Sequence, residues 1–225
     1  MIISNLTLKS RSLKRQHEFY SEILGMQCSL ISETQLEVSC GNSKLTFELT
    51  HGDFIPYHFA FNIPENQHRD ALKWLQKRVK MFEYENDPII PFDNWNAHSM
   101  YFADADGNVV EFIARHTLDN ATTEDFHPKL ITEISEIGAP CENVPDLREN
   151  LKSLTGLSEY ENFSDSFTAM GNARGLIILV PNDRNWLPTD IPSKPAPFQL
   201  EFHNDTASNE QQVIRFDNHR FVKAN

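Results

Sequence analysis

A strand–helix–strand order begins three times in this chain, and two of those beginnings share one spacing. Ile3 to Gly25 and Ile134 to Gly156 both span 22 positions. The same offset of 131 lays Leu45-Thr46-Phe47-Glu48-Leu49 on Leu176-Ile177-Ile178-Leu179-Val180. One offset that fits a strand, a helix stop and a second strand is the mark of a repeated unit. Each unit has one apolar face to bury, so the units must pack on one another.

The first round reads as a strand over residues 2–9, a helix from an N-cap at Ser12 to a stop at Gly25, and three short β runs, Met26–Ile31, Gln35–Ser39 and Leu45–Thr50. The second round starts at Tyr57–Ile63, continues through a helical stretch from Pro64 to Lys80 with Ala71, Leu72, Leu75 and Val79 on one face, and closes with a hairpin, Ser99–Ala103 and Val109–Ala114. The hairpin turn, Asp104-Ala105-Asp106-Gly107-Asn108, holds residues that adopt left-handed backbone or bond their own main chain. A polar linker, 116–129, precedes the third round: a strand at Leu130–Ile137, a helix opened by Pro145 and stopped by Gly156, and strands at Phe167–Met170 and Gly175–Val180. A proline-rich loop leads to a shortened fourth round, Phe198–Phe202, Val213–Phe216 and Arg220–Val222, with no helix pattern. The expected class is α+β, tandem βαβββ modules in curved, half-open mixed sheets. The expected division is a functional unit at 1–115, the linker, and a degenerate second unit at 130–225.

Charge and cysteine usage exclude several classes. The net charge of −12 repels phosphate backbones and argues against nucleic acid as a partner. No run approaches the about 18 apolar residues of a membrane span, so no membrane partner is expected. The first residues lack a basic region followed by an apolar one, and the three cysteines, Cys28, Cys40 and Cys141, are odd in number and widely spaced. Both features fit a reducing cytoplasm, with the cysteines read as buried, inert thiols. There is no glycine-rich phosphate loop, no paired CxxC and no GxSxG elbow.

Several segments carry a family resemblance. Asn5-Leu6-Thr7-Leu8, His17-Glu18-Phe19-Tyr20 and Leu24-Gly25-Met26 resemble the opening module of the vicinal oxygen chelate superfamily, which includes glyoxalase I, extradiol dioxygenases and bleomycin-resistance proteins. Phe47-Glu48-Leu49-Thr50-His51 is similar to a metal-carrying strand of glyoxalase I. His58-Phe59-Ala60-Phe61 and the hairpin from Ser99 to Glu111 resemble the start and end of its second module. The resemblance implies a concave sheet with ligands on the first and last strands of each module, here Asn5, Glu48, His58 and Glu111. It implies a divalent metal (zinc, nickel, manganese or iron) and a small-molecule substrate. Glu48 or Glu111 would move the proton in an isomerase- or lyase-type reaction.

Two other readings stand beside this one. An extradiol dioxygenase using Fe(II) needs two histidines and one carboxylate, and the mapped set has one histidine and an asparagine at Asn5. A metal-free binding protein of the bleomycin-resistance kind would use aromatic walls, with Phe92, Trp95 and Phe102 near the cleft. Among the remaining residues, His98 is a candidate general acid or base, and His51 a candidate rim residue. Under the repeat offset Asn5 falls on Glu136 and Glu48 on Leu179, while His58 aligns near Gln199. Residues 130–225 are therefore expected to pack on the first half or close its pocket, without a metal site of their own. The short link His51–Pro56 leaves open a homodimer that exchanges modules.

Overall fold

The computed structural model describes residues 1–161, 163–204 and 210–224. The first module is β1 (Ile2–Ser10), α1 (Leu13–His17) running into a π turn (Glu18–Ile23), β2 (Cys28–Ser32), β3 (Gln35–Cys40) and β4 (Ser43–Leu49). The second is β5 (His58–Ile63), α2 (His68–Gln76), β6 (Met81–Phe82), β7 (Ile90–Phe92), β8 (Ala97–Ala103) and β9 (Val109–Arg115). The third is β10 (Glu133–Cys141), α3 (Val144–Thr155), β11 (Thr168–Asn172) and β12 (Gly175–Pro181). The fourth is β13 (Phe198–His203), β14 (Gln211–Asp217) and β15 (Arg220–Lys223), with no helix among its described residues. No described helix is long and apolar enough to cross a membrane.

Local chemistry sets the helix ends. Ser12 caps α1 by accepting from the Arg15 amide at 3.3 Å. Asn143 caps α3 through the Asp146 amide at 3.1 Å, Pro145 sits in its first turn, and Gly156 stops it at φ +72. The helix read from Pro64 to Lys80 is confined to α2, because residues 64–67 form a turn in which the Gln67 amide donates to the Pro64 carbonyl.

The strands form two curved mixed sheets. Sheet one runs β15-β14-β13-β1-β4-β3-β2, and sheet two runs β11-β12-β10-β5-β9-β8-β6, with β7 also on β8. The first strands of two modules meet antiparallel in each: β1 with β13, and β5 with β10. Module one is therefore paired with module four, and module two with module three. The expectation that modules one and two share a sheet does not hold, and the linker at 116–129 separates no two sheets. Each sheet draws both of its modules from the one chain.

One face of each sheet enters a common core with the helices. Leu8, Phe47, Phe61, Phe112, Ile177 and Leu200 are all fully buried there. Cys40 and Cys141 are buried, Cys28 is half-buried, and all three are free thiols.

The hairpin turn between β8 and β9 fastens module two to module one. The buried Asp104 carboxylate accepts from the amides of Asp106 (2.9 Å) and Asn108 (3.0 Å) and from Asn108 Nδ2 (2.7 Å). It also accepts from Gln16 Nε2 (2.9 Å) and the Tyr20 hydroxyl (3.2 Å) of the first helical segment. Asp106 adds bonds from the Ser10 hydroxyl and the Arg11 amide, at 2.6 and 3.2 Å. Asp104→Ala strands several buried donors at once, so a loss of about 3 kcal/mol or more is expected in denaturant unfolding, with little change for an exposed control such as Asp70→Ala.

Candidate functional site

The face of sheet two turned away from the core is set by strand alternation. His58, Ala60 and Asn62 alternate with the core residues Phe59, Phe61 and Ile63 on β5. Ala60 pairs with Glu111 of β9 on one side and Glu136 of β10 on the other. Its methyl group leaves open the space between the two carboxylates. His58, Glu111 and Glu136 thereby gather, with one ligand atom from each lying within 4.8 Å of the others. His58 Nε2 is 3.5 Å from Glu111 Oε2.

His58 Nδ1 is 3.1 Å from the Val109 carbonyl. The carbonyl can only accept, so Nδ1 carries the proton and Nε2 turns its lone pair toward Glu111. Burial pulls the His58 pKa down to about 4, keeping the ring neutral. Burial, and then the charge of Glu136, pushes Glu111 up to about 8; the hydroxyls of Ser99 and Tyr101 and the charge of Arg115 pull the other way. Burial also raises Glu136, opposed by Arg115. The Arg115 guanidinium is fully buried, donates to Glu136 Oε1, and lies 5.0 Å from the Trp95 ring. Glu136 thus has a cationic partner in hydrogen-bond contact, and among the described residues Glu111 has none.

This donor set fits a divalent metal. Two ligands bonded at 2.0–2.2 Å to one ion stand about 3 Å apart in an octahedron and about 3.4 Å apart in a tetrahedron, close to the 3.5 Å between His58 Nε2 and Glu111 Oε2. A lone pair facing a carboxylate needs a cation or a proton between them. The ligand position on β12, in register with Gly138, is taken by Ile178, which offers no donor. Leu179, matched to Glu48 by the repeat offset, faces the core instead.

A cavity of about 530 Å³ opens over these three residues. Phe92, Trp95, Tyr101, Phe167 and Trp186 wall it. The Trp186 ring lies 4.8 Å from the His58 ring. It rests on Gly138, where an added Cβ would come 2.5 Å from the indole.

Asn5 and Glu48 are on the other sheet. Asn5 accepts from Thr46 Oγ1 at 2.9 Å and donates to Glu201 Oε1 at 3.1 Å. Glu48 pairs with Lys9 Nζ at 2.6 Å and accepts from Gln35 Nε2 at 3.1 Å. Lys9 lowers the Glu48 pKa, and neither side chain is buried. The strand pairing puts them there, and their own neighbours satisfy them. Gln199 is on β13 of that sheet too, opposite Thr7. Trp95 and Phe92 do line the cavity, whereas Phe102 alternates with Tyr101 and points into the core. His51 is exposed in the β4–β5 connection, and His98 lies with two other histidines on the helix side of sheet two.

Residues 130–225 do more than close a pocket, since they supply Glu136 and Trp186. Sequence reasoning left both aside. The signal for Glu136 was present, because the repeat offset places it at the first-strand ligand position. Trp186 sits in a loop outside the repeat and had no such signal.

No protein-family model and no curated protein matches the chain. Solved structures do. A candidate dioxygenase from Bacillus subtilis subsp. subtilis str. 168 superposes with a TM-score of 0.62 at 15% identity, over 98% of this chain and 83% of that one. A glyoxalase I variant from Zea mays gives 0.59 at 12% identity, over 98% and 90%. At that identity the likeness establishes the fold, which is that of the vicinal oxygen chelate proteins.

Two outcomes test this geometry. In protein stripped of metal, folded Glu111 titrates near 8 and the unfolded residue near 4.5. The native state then keeps a proton that the unfolded chain loses, so this contribution is full below pH 4.5 and is lost as pH rises through about 8. Melting curves across that range should show the decline, and Glu111→Gln should flatten it. Gly138→Val should expel the indole from the cavity, seen as a red-shifted and more quenchable tryptophan emission, with the fold retained.

Proposed function

We propose that this chain is a metal-dependent enzyme acting on a small molecule with two neighbouring oxygens, through isomerase- or lyase-type proton transfer. The observation that carries the reading is the buried His58–Glu111–Glu136 group at the floor of an aromatic cavity, with His58 Nδ1 tied to a carbonyl and Nε2 left to ligate. The fold shared with a glyoxalase I supports the same class of chemistry.

His58, Glu111 and Glu136 would hold the ion. A divalent ion (zinc, nickel, manganese or iron) supplies Lewis acidity toward two adjacent substrate oxygens. Arg115 fixes the Glu136 carboxylate and offsets part of its charge. Trp186, Trp95 and Phe92 exclude water and orient a flat, apolar substrate body. Glu111 carries the proton, because no Lys or Arg among the described residues is bonded to it and burial shifts it toward neutral pH. Glu48 lies on the other sheet, paired with Lys9, and has no part in this group. The single imidazole disfavours the Fe(II) dioxygenase reading, which calls for two.

The aromatic walls favour a second reading, in which the cavity binds an aromatic ligand without metal. Elemental analysis separates the two. Protein purified without chelator should carry an equivalent of metal that His58→Ala/Glu111→Ala lacks, and Glu136→Gln should weaken its retention. Ligand binding unchanged by exhaustive chelation, with the same metal content in the double variant, would overturn the metal-dependent reading.

A further inference from the structure

A second group of ligating side chains lies on the opposite face of sheet two. His68 is the first residue of α2, His98 is on β8, and His116 follows β9. One ring nitrogen from each lies within 4.8 Å of the others. His98 Nδ1 and His116 Nε2 are 2.8 Å apart, and the His68 ring stacks on that of His98 with centroids 4.5 Å apart. We propose that His68, His98 and His116 form a transition-metal site, of the zinc, nickel or copper(II) class, separate from the His58 site.

Three separate backbones bring these imidazoles together, and each is tied down. The His116 amide donates to the Asn96 carbonyl at 2.9 Å. His98 is fixed opposite Ala114 in the β8–β9 ladder. The start of α2 is held by Gln67, whose side-chain amide donates to the Glu124 carbonyl at 3.0 Å. The convergence is thus built by the fold and does not depend on long, mobile side chains.

The donor chemistry is that of a late first-row ion. Three neutral imidazoles with no carboxylate among them suit zinc, nickel and copper(II) over magnesium or calcium. His68 Nδ1 is sealed from solvent and finds no partner of good hydrogen-bond geometry. Burial and the neighbouring rings keep His68 unprotonated at neutral pH, with the Arg69 charge acting the same way, and the Glu65 backbone opposing. Lone pairs are therefore available. Arg69 works against a bound cation, and Asp93, which favours positive charge on His98, works for it. Ligand nitrogens around a tetrahedral ion stand about 3.4 Å apart. His98 and His116 would open from their 2.8 Å contact by about 0.6 Å, and His68 would turn out of its stack. All three are partly exposed and free to make that adjustment. Three protein ligands leave a further position open to water or an external donor.

The two sites are told apart by which variant loses metal. Chelated full-length protein is dialysed against Zn(II), and separately Ni(II), beside a competing chelator of micromolar affinity. The native chain should retain one equivalent that His68→Gln/His116→Gln lacks and that His58→Ala/Glu111→Ala keeps. His98→Gln alone should weaken that equivalent by more than the about 10–100-fold typical of outer-shell losses. Zn(II) should also shift the imidazole resonances of His68, His98 and His116 in NMR spectra of the native chain, a readout independent of how the variants fold. Equal metal retention in the native chain and the His68→Gln/His116→Gln variant, or unmoved imidazole resonances, overturns the proposal whatever happens at His58.

Discussion

The antiparallel seam between β5 and β10 decides what sheet two can hold. It sets Glu136 on one side of Ala60 while β9 sets Glu111 on the other, with His58 two residues before that alanine on the same face. Two buried carboxylates so close raise each other's pKa and must share a proton, a cation or an arginine. Arg115 answers for Glu136, reaching it from the end of β9. The remaining need, at Glu111 facing His58 Nε2, is what makes the site chemically open.

Sheet one has the same seam and no such need. Where sheet two sets His58 against Glu111, sheet one sets Asn5 against Thr46, and a hydrogen bond of 2.9 Å closes the gap. Thr46, not Glu48, holds the equivalent register, since Thr7 pairs with Thr46 and Lys9 with Glu48. The face is polar and partly solvated, and its charges are paired side by side along the strands. Burial separates the two faces: in water a Lys9–Glu48 pair contributes little either way, whereas a buried, charged Glu111 without a bonded Lys or Arg is costly.

Much of this was legible in the sequence. Caps at Ser12 and Gly156, the β8–β9 turn and the in–out alternation of β5 and β9 all follow from local rules, and the structure has them. His58 and Glu111 share a face and a neighbourhood for that reason. What local rules do not carry is which module pairs with which. Nothing within 1–115 says that β1 seeks β13 and leaves β5 to β10. The family resemblance assigns Asn5 and Glu48 to the His58 site, and the strand pairing puts them on another sheet.

The repeat offset held the correction in a form that needed the topology to be read. It aligned Asn5 with Glu136, so a first-strand ligand that looks weakened in module one survives as a carboxylate in module three. It aligned Glu48 with Leu179, and neither is at the site: Glu48 is two residues past Thr46 on sheet one, while Leu179 is one residue past Ile178 and faces the core. A repeat preserves strand order and lets the face drift, and a shift of one residue exchanges cavity for core. The same freedom let Gly138 replace a side chain with space, which Trp186 from outside the repeat now fills. Part of the cavity wall, Phe167 and Trp186, and the third candidate ligand come from the half that looked degenerate, because loss of one ligand position at Ile178 is compatible with keeping another at Glu136.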